Sequence, residues 1–354
     1  MKRTAVALAL LLCVSQSSAE VEVSSFPLPD PPVFAEQRIR VAILDNREEV
    51  NLGAEGAYRL EMLESGALIR RGALLPSTRV RAEKSGIRFG SLNIPLYGFT
   101  LKSHDGTIVV ENRRYRESVQ ILKDPRGKLI VVNELGLEDY LKGVLPKEIW
   151  SRWPLEVLKA QAVVSRTYAL FKALTKSRED YMLMGNTIGQ VYGGRGSESR
   201  ATDEAVRLTE GEVLIYEGAI FPAYFHSTCA GATTRPEYNW DVEGHPALKG
   251  VSCPYCAAST HYRWANNIPL KDIEDALSRA GRPVRGITEI KLEKWDKSGR
   301  PRFIQVNHAL GEFSLRANDS RLIVGPDKVK SFKDIQVAIL GAEALFSGLG
   351  WGHG

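Results

Sequence analysis

One carboxylate in an apolar, aromatic stretch is the first candidate for chemistry. Glu148 lies between Pro146 and Ile149 in what the sequence suggests is a short loop, and Trp150 and Trp153 follow just beyond it. Apolar surroundings remove water from a carboxyl group and raise its pKa, so that the group can stay protonated. A protonated carboxylic acid can deliver a proton to a leaving oxygen, as glycosidic bond cleavage usually requires. The sequence therefore indicates Glu148 as a general acid.

Cysteines and one histidine form the second candidate site. Removal of an N-terminal signal peptide would take Cys13 with it and leave an odd number of cysteines, which argues against a closed set of disulfides. His226 and Cys229 stand three residues apart, and Cys253 and Cys256 do likewise. Two such short knuckles are typical of a tetrahedral Cys3His zinc site. We therefore expect a zinc ion on these four residues, and four protein ligands would make it structural.

Two other interpretations of the cysteines stay open. Cys253 and Cys256 could form a disulfide that leaves Cys229 as a free thiol, or all of them could be free thiols. His261 is a spare candidate ligand near the second pair.

A long amphipathic helix follows Glu148 and must help to position it. Small and apolar residues recur there at the spacing of one helical face. These residues are Leu155, Leu158, Ala162, Ser165, Ala169 and Leu170. Pro154 suits the first helical position, and Glu156 complements the positive end of the helix dipole. The alternative to a functional role for this helix is that it is a buried helix with a solvated flank. Glu138 and Asp139 lie upstream, and we expect them on the solvated first turn of another helix.

The N-terminus predicts export. Residues 1–19 combine a basic start, an apolar run that is too short to span a bilayer, and a small-residue cleavage site, which together indicate a secretory signal peptide. An uncleaved anchor is the alternative. Residues 20–36 are rich in proline and polar residues and are expected to be a linker. We predict an exported protein of the cell wall, periplasm or extracellular space, with no membrane contact beyond the signal peptide.

The rest of the chain predicts an α+β fold in one domain, residues 37–354. A strand-rich front part, about 37–132, contains the segments IRVAIL, GAYRLEML, ALIRRG, LNIPLYGFTL, TIVVEN and KLIVVNEL. A core, about 133–354, begins with the helical region that carries the catalytic loop. It continues into a β-rich C-terminal part with strand signals at ITEIKLEKWD, RFIQVNHALG and IQVAIL and a short helix near Asp272 to Ala280.

Basic residues crowd the front part. The formal net charge is +5 and the sequence pI is about 8.9, which favours an anionic partner, although a solvated basic face is an equal alternative. Nucleic acid is a poor choice of anion, because the chain is expected to be exported and shows no nucleic-acid-binding motif.

Several motifs together resemble one known family. The stretch PKEIWSRWPLEVLKAQAVVSRTYAL, which contains Glu148, is similar to the signature of the stage II sporulation protein D family, which includes the LytB amidase enhancers. QVYGG at residues 190–194, FHSTCAG at 225–231 and the closing GWGHG at 350–354 resemble further motifs of the family, in the same order. In the family the last motif usually runs on into another segment, so we expect this chain to be cut short at its C-terminus.

The resemblance implies a peptidoglycan lytic transglycosylase, which cleaves glycan strands, with those stripped of their peptides as one possible substrate. Glu148 matches the family's glutamate, which acts as acid and then as base to give a 1,6-anhydro end. The expected substrate-binding residues are Trp150, Trp153, Lys159, Gln161, Arg166, Tyr168, Gln190, Tyr192, His226, Ser227, Thr228 and His353. The resemblance also implies zinc, because some members of the family bind it near the histidine that matches His226.

The resemblance equally allows a second function. The LytB branch implies a non-catalytic protein that binds the cell wall and enhances a peptidoglycan amidase. A wall amidase or another wall hydrolase would then be a partner. Release of anhydro-ended sugars by the purified protein would distinguish the enzyme from the enhancer.

Overall fold

The computed structural model describes residues 26–27, 37–103, 106–176, 179–186 and 189–354. The predicted signal peptide lies outside these residues, and so does most of the predicted linker. Phe26–Pro27, within that linker, pair with Ala219–Ile220 as short antiparallel strands. No helix in the described ranges is both long and apolar enough to cross a membrane.

The front part of the chain consists of antiparallel strands. In chain order they are β1 (Phe26–Pro27), β2 (Arg38–Arg47), β3 (Glu49–Glu55), β4 (Tyr58–Met62), β5 (Leu68–Gly72), β6 (Leu75–Glu83), β7 (Gly86–Phe89), β8 (Leu92–Ile94), β9 (Gly98–Lys102), β10 (Thr107–Val110), β11 (Arg113–Tyr115), β12 (Ser118–Lys123) and β13 (Leu129–Gly136). Every predicted strand segment contains a strand. The prediction omits β1, β3, β6, β7, β11 and β12. Charged residues or glycine interrupt the apolar pattern in β3, β6, β7 and β11, whereas β1 has only two residues and β12 has no such interruption.

These strands form two sheets that share one core. One sheet has the order β11-β10-β3-β6-β7-β8, and the other has the order β14-β2-β13-β12-β9-β4-β5, where β14 is Leu183–Met184. Phe89 of the first sheet packs edge-to-face on Phe99 of the second, with 5.6 Å between ring centroids. Buried residues of the next helices belong to the same core.

Three helices follow and rest against the second sheet. They are α1 (Leu137–Glu148), α2 (Leu155–Thr175) and α3 (Arg200–Leu208). Helix α2 is the predicted amphipathic helix, and its small residues Ala162, Ser165 and Ala169 are fully buried, as close packing requires. Pro154 precedes the first helical residue instead of occupying it, so the predicted start is wrong by one residue.

The C-terminal part has a core of its own. Its strands are β15 (Ile215–Tyr216), β16 (Ala219–Ile220), β17 (Gly231–Ala232), β18 (Ser252–Cys253), β19 (Arg263–Pro269), β20 (Ile287–Trp295), β21 (Pro301–His308), β22 (Gly311–Arg316), β23 (Lys333–Leu340) and β24 (Glu343–Leu349). Its helices are α4 (Pro236–Asn239), α5 (Leu270–Arg279) and α6 (Ala317–Val324). The sheets β19-β24-β23 and β20-β21-β22 surround this second core together with α5 and α6. The α+β prediction is confirmed.

The last residues of the chain pair with the segments around Thr228 and Asn239. Thr228 and Trp351 form a two-way backbone bridge, with N–H to O distances of 3.0 and 2.9 Å. The Asn239 amide donates to the carbonyl of His353 at 3.1 Å. These bonds hold His353 in the wall of the groove that Glu148 also lines, although the two are distant in sequence.

Candidate active site

Glu148 is the last residue of helix α1, and not part of a loop as the sequence suggests. The carbonyl end of a helix carries partial negative charge, which disfavours an ionised carboxylate there. Burial raises the pKa of Glu148 above its ordinary value, and a backbone hydrogen bond from Val191 opposes this effect without cancelling it. The glutamate therefore keeps its proton to a higher pH than an exposed one does.

The backbone N–H of Val191 holds one oxygen of this carboxyl group. It donates to Oε1 of Glu148 at 2.6 Å, and this leaves Oε2 for proton transfer. Gln190 fixes the position of Val191, since its side chain is fully buried, accepts from the Tyr140 hydroxyl at 3.1 Å and donates to the carbonyl of Ser165 at 3.2 Å.

The predicted sugar contacts at Gln190 and Tyr192 are therefore wrong. Tyr192 is 3% exposed, and its hydroxyl donates to Oδ1 of Asn133 at 2.7 Å. Gln190 and Tyr192 are both buried. The group of this motif that contacts Glu148 is the backbone N–H of Val191, which lies between them in the sequence.

Glu148 opens into a groove of about 420 Å³ between α2, the segment around Phe225 and helix α6. Tyr168 lines it, as predicted, and contacts Tyr224 with 6.0 Å between ring centroids. Tyr224 contacts Trp240 at 4.6 Å, and Trp240 contacts His353 at 4.6 Å. This chain of rings supplies flat apolar faces of the kind that sugar C–H groups pack against.

The aromatic faces beside Glu148 are not the predicted ones. Trp150 and Trp153 are 65% and 51% exposed and do not line the groove. Their position after the end of α1 turns them towards solvent, while residues distant in sequence supply the wall.

Sequence reasoning missed much of the groove. The missed residues are Lys172, Tyr224, Trp240, Asn318 and Arg321. Tyr224 stands next to the FHST motif, and Lys172 lies one turn after Tyr168 on α2, so each carried a local signal. Trp240 and Asn318 carried none, whereas Arg321 lies in the stretch DSRL at residues 319–322, which resembles a late motif of the stage II sporulation protein D family.

His353 lines the groove as a neutral imidazole. Its Nε2 lies 3.0 Å from the carbonyl oxygen of Phe225, which can only accept, so Nε2 carries the hydrogen. Burial lowers the pKa of His353 to about 4. His226 stands behind it, with 4.9 Å between ring centroids, and lines an adjoining cavity of about 220 Å³. Burial lowers the pKa of His226 to about 3.

Arg166 is a structural residue and not a substrate contact. It is fully buried, and its Nε and Nη2 each donate to the Glu138 carboxylate at 2.8 Å. Further bonds run to the carbonyls of Val206 and Glu212. The solvated position expected for Glu138 is therefore wrong as well, because this pair ties α1 to α2 and α3.

The other predicted contacts lie outside the groove. Lys159 pairs with Glu156 at 3.0 Å, and Gln161 donates to Oγ of Ser165 at 3.1 Å. Thr228 is buried in the bridge to Trp351, and the exposed Ser227 lies beside it with 3.2 Å between the two hydroxyl oxygens. None of these four residues lines the groove.

The three cysteines converge as the zinc prediction requires, but the histidine does not join them. The Sγ atoms of Cys229, Cys253 and Cys256 all lie within 4.8 Å of one another, whereas His226 is not part of this cluster. All three are free thiols in the structure. Burial is the main cause that raises the pKa of Cys229 to about 12, and contact with the other two thiols is the second cause. Crowded thiols of this kind fit a thiophilic cation, which would supply the positive charge that the thiolates need.

The basic crowding of the front part is largely neutralised within the chain. Five arginines pair with glutamates at 2.6 to 3.9 Å. They are Arg79, Arg81, Arg88, Arg114 and Arg116. This pairing weakens the argument for an anionic partner at that surface.

Comparison with known proteins places this site in a family. The family model for SpoIID, described as stage II sporulation protein, matches residues 125–216, which include Glu148 and Val191. The chain is 32% identical over 196 residues to an uncharacterized protein of Chlamydia muridarum, which covers 54% of this chain and 68% of that protein.

Two named relatives come from Bacillus subtilis. The chain is 36% identical over 168 residues to the amidase enhancer, covering 44% of this chain and 22% of the enhancer. It is 27% identical over 161 residues to stage II sporulation protein D, covering 41% of this chain and 47% of that protein. The chain thus spans less than half of each named relative. From these matches and the shared motifs, the chain belongs to the SpoIID family, the family of stage II sporulation protein D and the amidase enhancer.

Proposed function

We propose that this protein is a peptidoglycan lytic transglycosylase in which Glu148 is both general acid and general base. The observation that carries the proposal is a single buried carboxyl group with a raised pKa, held by a backbone N–H, at the wall of an aromatic groove. The family names support a role at the cell wall. The predicted export agrees with this role, because peptidoglycan lies outside the cytoplasm.

One carboxyl group is enough for this reaction. Protonated Glu148 donates through Oε2 to the glycosidic oxygen as the C1–O bond breaks. The C6 hydroxyl of the same sugar attacks C1, and ionised Glu148 takes the hydroxyl proton, which gives a 1,6-anhydro end and restores the acid. The Val191 N–H stabilises the carboxylate between the two steps, while burial and the end of α1 favour its reprotonation.

The second candidate function is enhancement of a wall amidase. The observation that favours it is the 36% identity to the amidase enhancer of Bacillus subtilis. In this case the aromatic groove would bind wall glycan without cleaving it, and the amidase would be the partner.

We also propose a zinc ion on Cys229, Cys253 and Cys256, in place of the four-residue set expected from the sequence. Their converging sulfur atoms support it. Bound zinc would link the FHSTCAG segment to the CPYC segment and so stabilise one side of the adjoining cavity. The proposed catalytic steps use only Glu148 and do not involve the metal.

Digestion of peptide-free peptidoglycan tests the first function. Mass spectrometry of the products should show anhydro-ended sugars with the wild-type chain and none with Glu148→Gln. Glu156→Gln is the matched control, because Glu156 is an exposed glutamate on α2 that pairs with Lys159. An unchanged yield with Glu148→Gln would refute the catalytic role. No release by the wild type, together with faster digestion by an added amidase, would favour the enhancer.

A further inference from the structure

Arg321 is a buried cation that the proposed chemistry does not use. It lies on helix α6, is 8% exposed and lines the groove with Glu148. Its Nε donates to the carbonyl of Lys330 at 3.0 Å. Within the described residues, its Nη atoms have no hydrogen-bond partner and no carboxylate lies within 4.0 Å. Burial lowers its pKa to about 10, with Asp327 acting in the opposite direction at longer range.

The other deeply buried arginines show how unusual this is. Arg166 has Glu138 as a bidentate partner. Arg300, which is 4% exposed, donates to the carbonyls of Ala232 and Cys229, each at 2.9 Å. The Arg321 guanidinium has no such partners on its Nη groups, which are therefore available to an anionic ligand in the groove.

Asn318 adds a second unsatisfied group one turn earlier on α6. It is 5% exposed, lines the same groove, and its Oδ1 is buried with no partner among the described residues. Because Asn318 lines the groove, a ligand bound there can supply the missing donor. The spacing of three residues puts Asn318 and Arg321 on one helical face.

We propose that Arg321 and Asn318 form the subsite that selects a muramic acid unit with a free lactyl carboxylate. The guanidinium pairs with that carboxylate, and the Asn318 Oδ1 accepts from the acetamido N–H of the sugar. Tyr224 and Trp240, in the same groove, provide the face for the sugar ring. The inference rests on the proposed function and assigns the specificity to two named residues.

The selection works because a stem peptide would convert the carboxylate into an amide. An amide carries no charge and would leave the guanidinium buried without a counterion. Lys159 serves as the control, because it lies outside the groove and pairs with Glu156 at 3.0 Å.

Calorimetric titration of the Glu148→Gln protein, which binds without turnover, tests the proposal. The two ligands are a glycan tetrasaccharide with free lactyl carboxylates and the same tetrasaccharide with these groups converted to methylamides. We expect the free acid to bind about tenfold more tightly or better, as for other hydrogen bonds to charged groups. Adding Arg321→Met should abolish the difference, Arg321→Lys should restore part of it, and Lys159→Met should leave it unchanged.

The outcomes separate this inference from the proposed function. Equal affinity for the two ligands, or discrimination that survives Arg321→Met, would overturn the role of Arg321 even if the wild type cleaves glycan. Discrimination that depends on Arg321 in a wild type that releases no anhydro sugar would support the subsite and refute the transglycosylase. Arg321→Met keeps the apolar stem but loses the hydrogen bond from Nε to the Lys330 carbonyl, so we expect a small fall in Tm, and Arg321→Lys provides the test if Arg321→Met does not fold.

Discussion

The backbone N–H of Val191 donates to Oε1 of Glu148 at 2.6 Å, and this bond joins the QVYGG segment, residues 190–194, to the end of helix α1. It favours the ionised form of the carboxyl group, whereas burial favours the protonated form. Burial has the larger effect, so the pKa of Glu148 is raised, which suits a group that must first give a proton and then recover one. Gln190 and Tyr192 hold the loop on either side of the amide, and neither lines the groove with Glu148.

Replacing Glu148 by glutamine should abolish catalysis and preserve binding. Loss of a general acid and base typically lowers kcat by about 10² to 10⁴-fold. The amide oxygen of glutamine can still accept from Val191, so the groove should keep its shape. The measurement is the rate of anhydro-sugar release beside the Kd for glycan. A variant with a weakened Kd and normal kcat would assign Glu148 to binding.

The same substitution should stabilise the protein at neutral pH. The folded-state pKa of Glu148 is raised, so the folded protein resists ionisation more than the unfolded chain does, and the ionised group opposes folding above that pKa. Glu148→Gln should thus have the higher free energy of unfolding at pH 7 to 8. This advantage should shrink as the pH falls and disappear where the carboxyl group is protonated in both states. Urea unfolding at several pH values measures it, and an advantage that grows towards acid pH would contradict it.

Gln190→Leu should act on Glu148 through the Val191 amide. The variant leaves the Tyr140 hydroxyl and the Ser165 carbonyl without their buried partner, which costs about 1 to 3 kcal/mol of stability. A displaced Val191 N–H would also raise the pKa of Glu148 further, so the alkaline limb of the kcat/KM profile should move to higher pH. Val191→Ala, which keeps the N–H, should not move the profile. A purely structural role for Gln190 would lower stability and leave the limb in place.

Arg166→Met should unfold the protein more readily without affecting glycan recognition. Breaking a buried ion pair from one side costs about 3 to 5 kcal/mol, and here the Glu138 carboxylate loses its bidentate partner. Arg207→Met is the control, because Arg207 forms an exposed pair with Glu204 on α3 and should contribute less than about 1 kcal/mol. Denaturant titration compares the two variants. If the Arg166→Met protein is folded but no longer binds glycan, Arg166 is a substrate contact, as the sequence predicts.

Metal analysis of the purified protein should find one zinc per chain. Serine at Cys229, Cys253 or Cys256 should lower the zinc content, and chelation should lower Tm, because binding free energy of a structural metal adds to folding. His226→Ala should retain zinc, since that histidine is not part of the cysteine cluster. Full zinc content in all three serine variants would refute the site, and loss in His226→Ala would restore the ligand set expected from the sequence.

The prediction of strands was most accurate where apolar residues form a continuous run, as in VAIL of β2 and LIVV of β13. It failed for β6 and β11, which have exposed charged residues and take their place in the sheet from pairing with β3 and β10. Strand pairing involves residues far apart in the chain. A local pattern cannot reveal it.

The sequence by itself determined the catalytic candidate and most of the buried face of helix α2, from which Leu155 is exposed, because each depends on residue types at short spacing. The tertiary structure decided that Cys229 joins Cys253 and Cys256 without His226. Only the tertiary structure decided which groups face Glu148. Trp150, a near neighbour in sequence, points to solvent, whereas Trp240, Arg321 and His353 reach the groove from separate elements. The end of α1 fixes the direction of each side chain near Glu148, and the packing of two distinct cores brings the remaining wall to it.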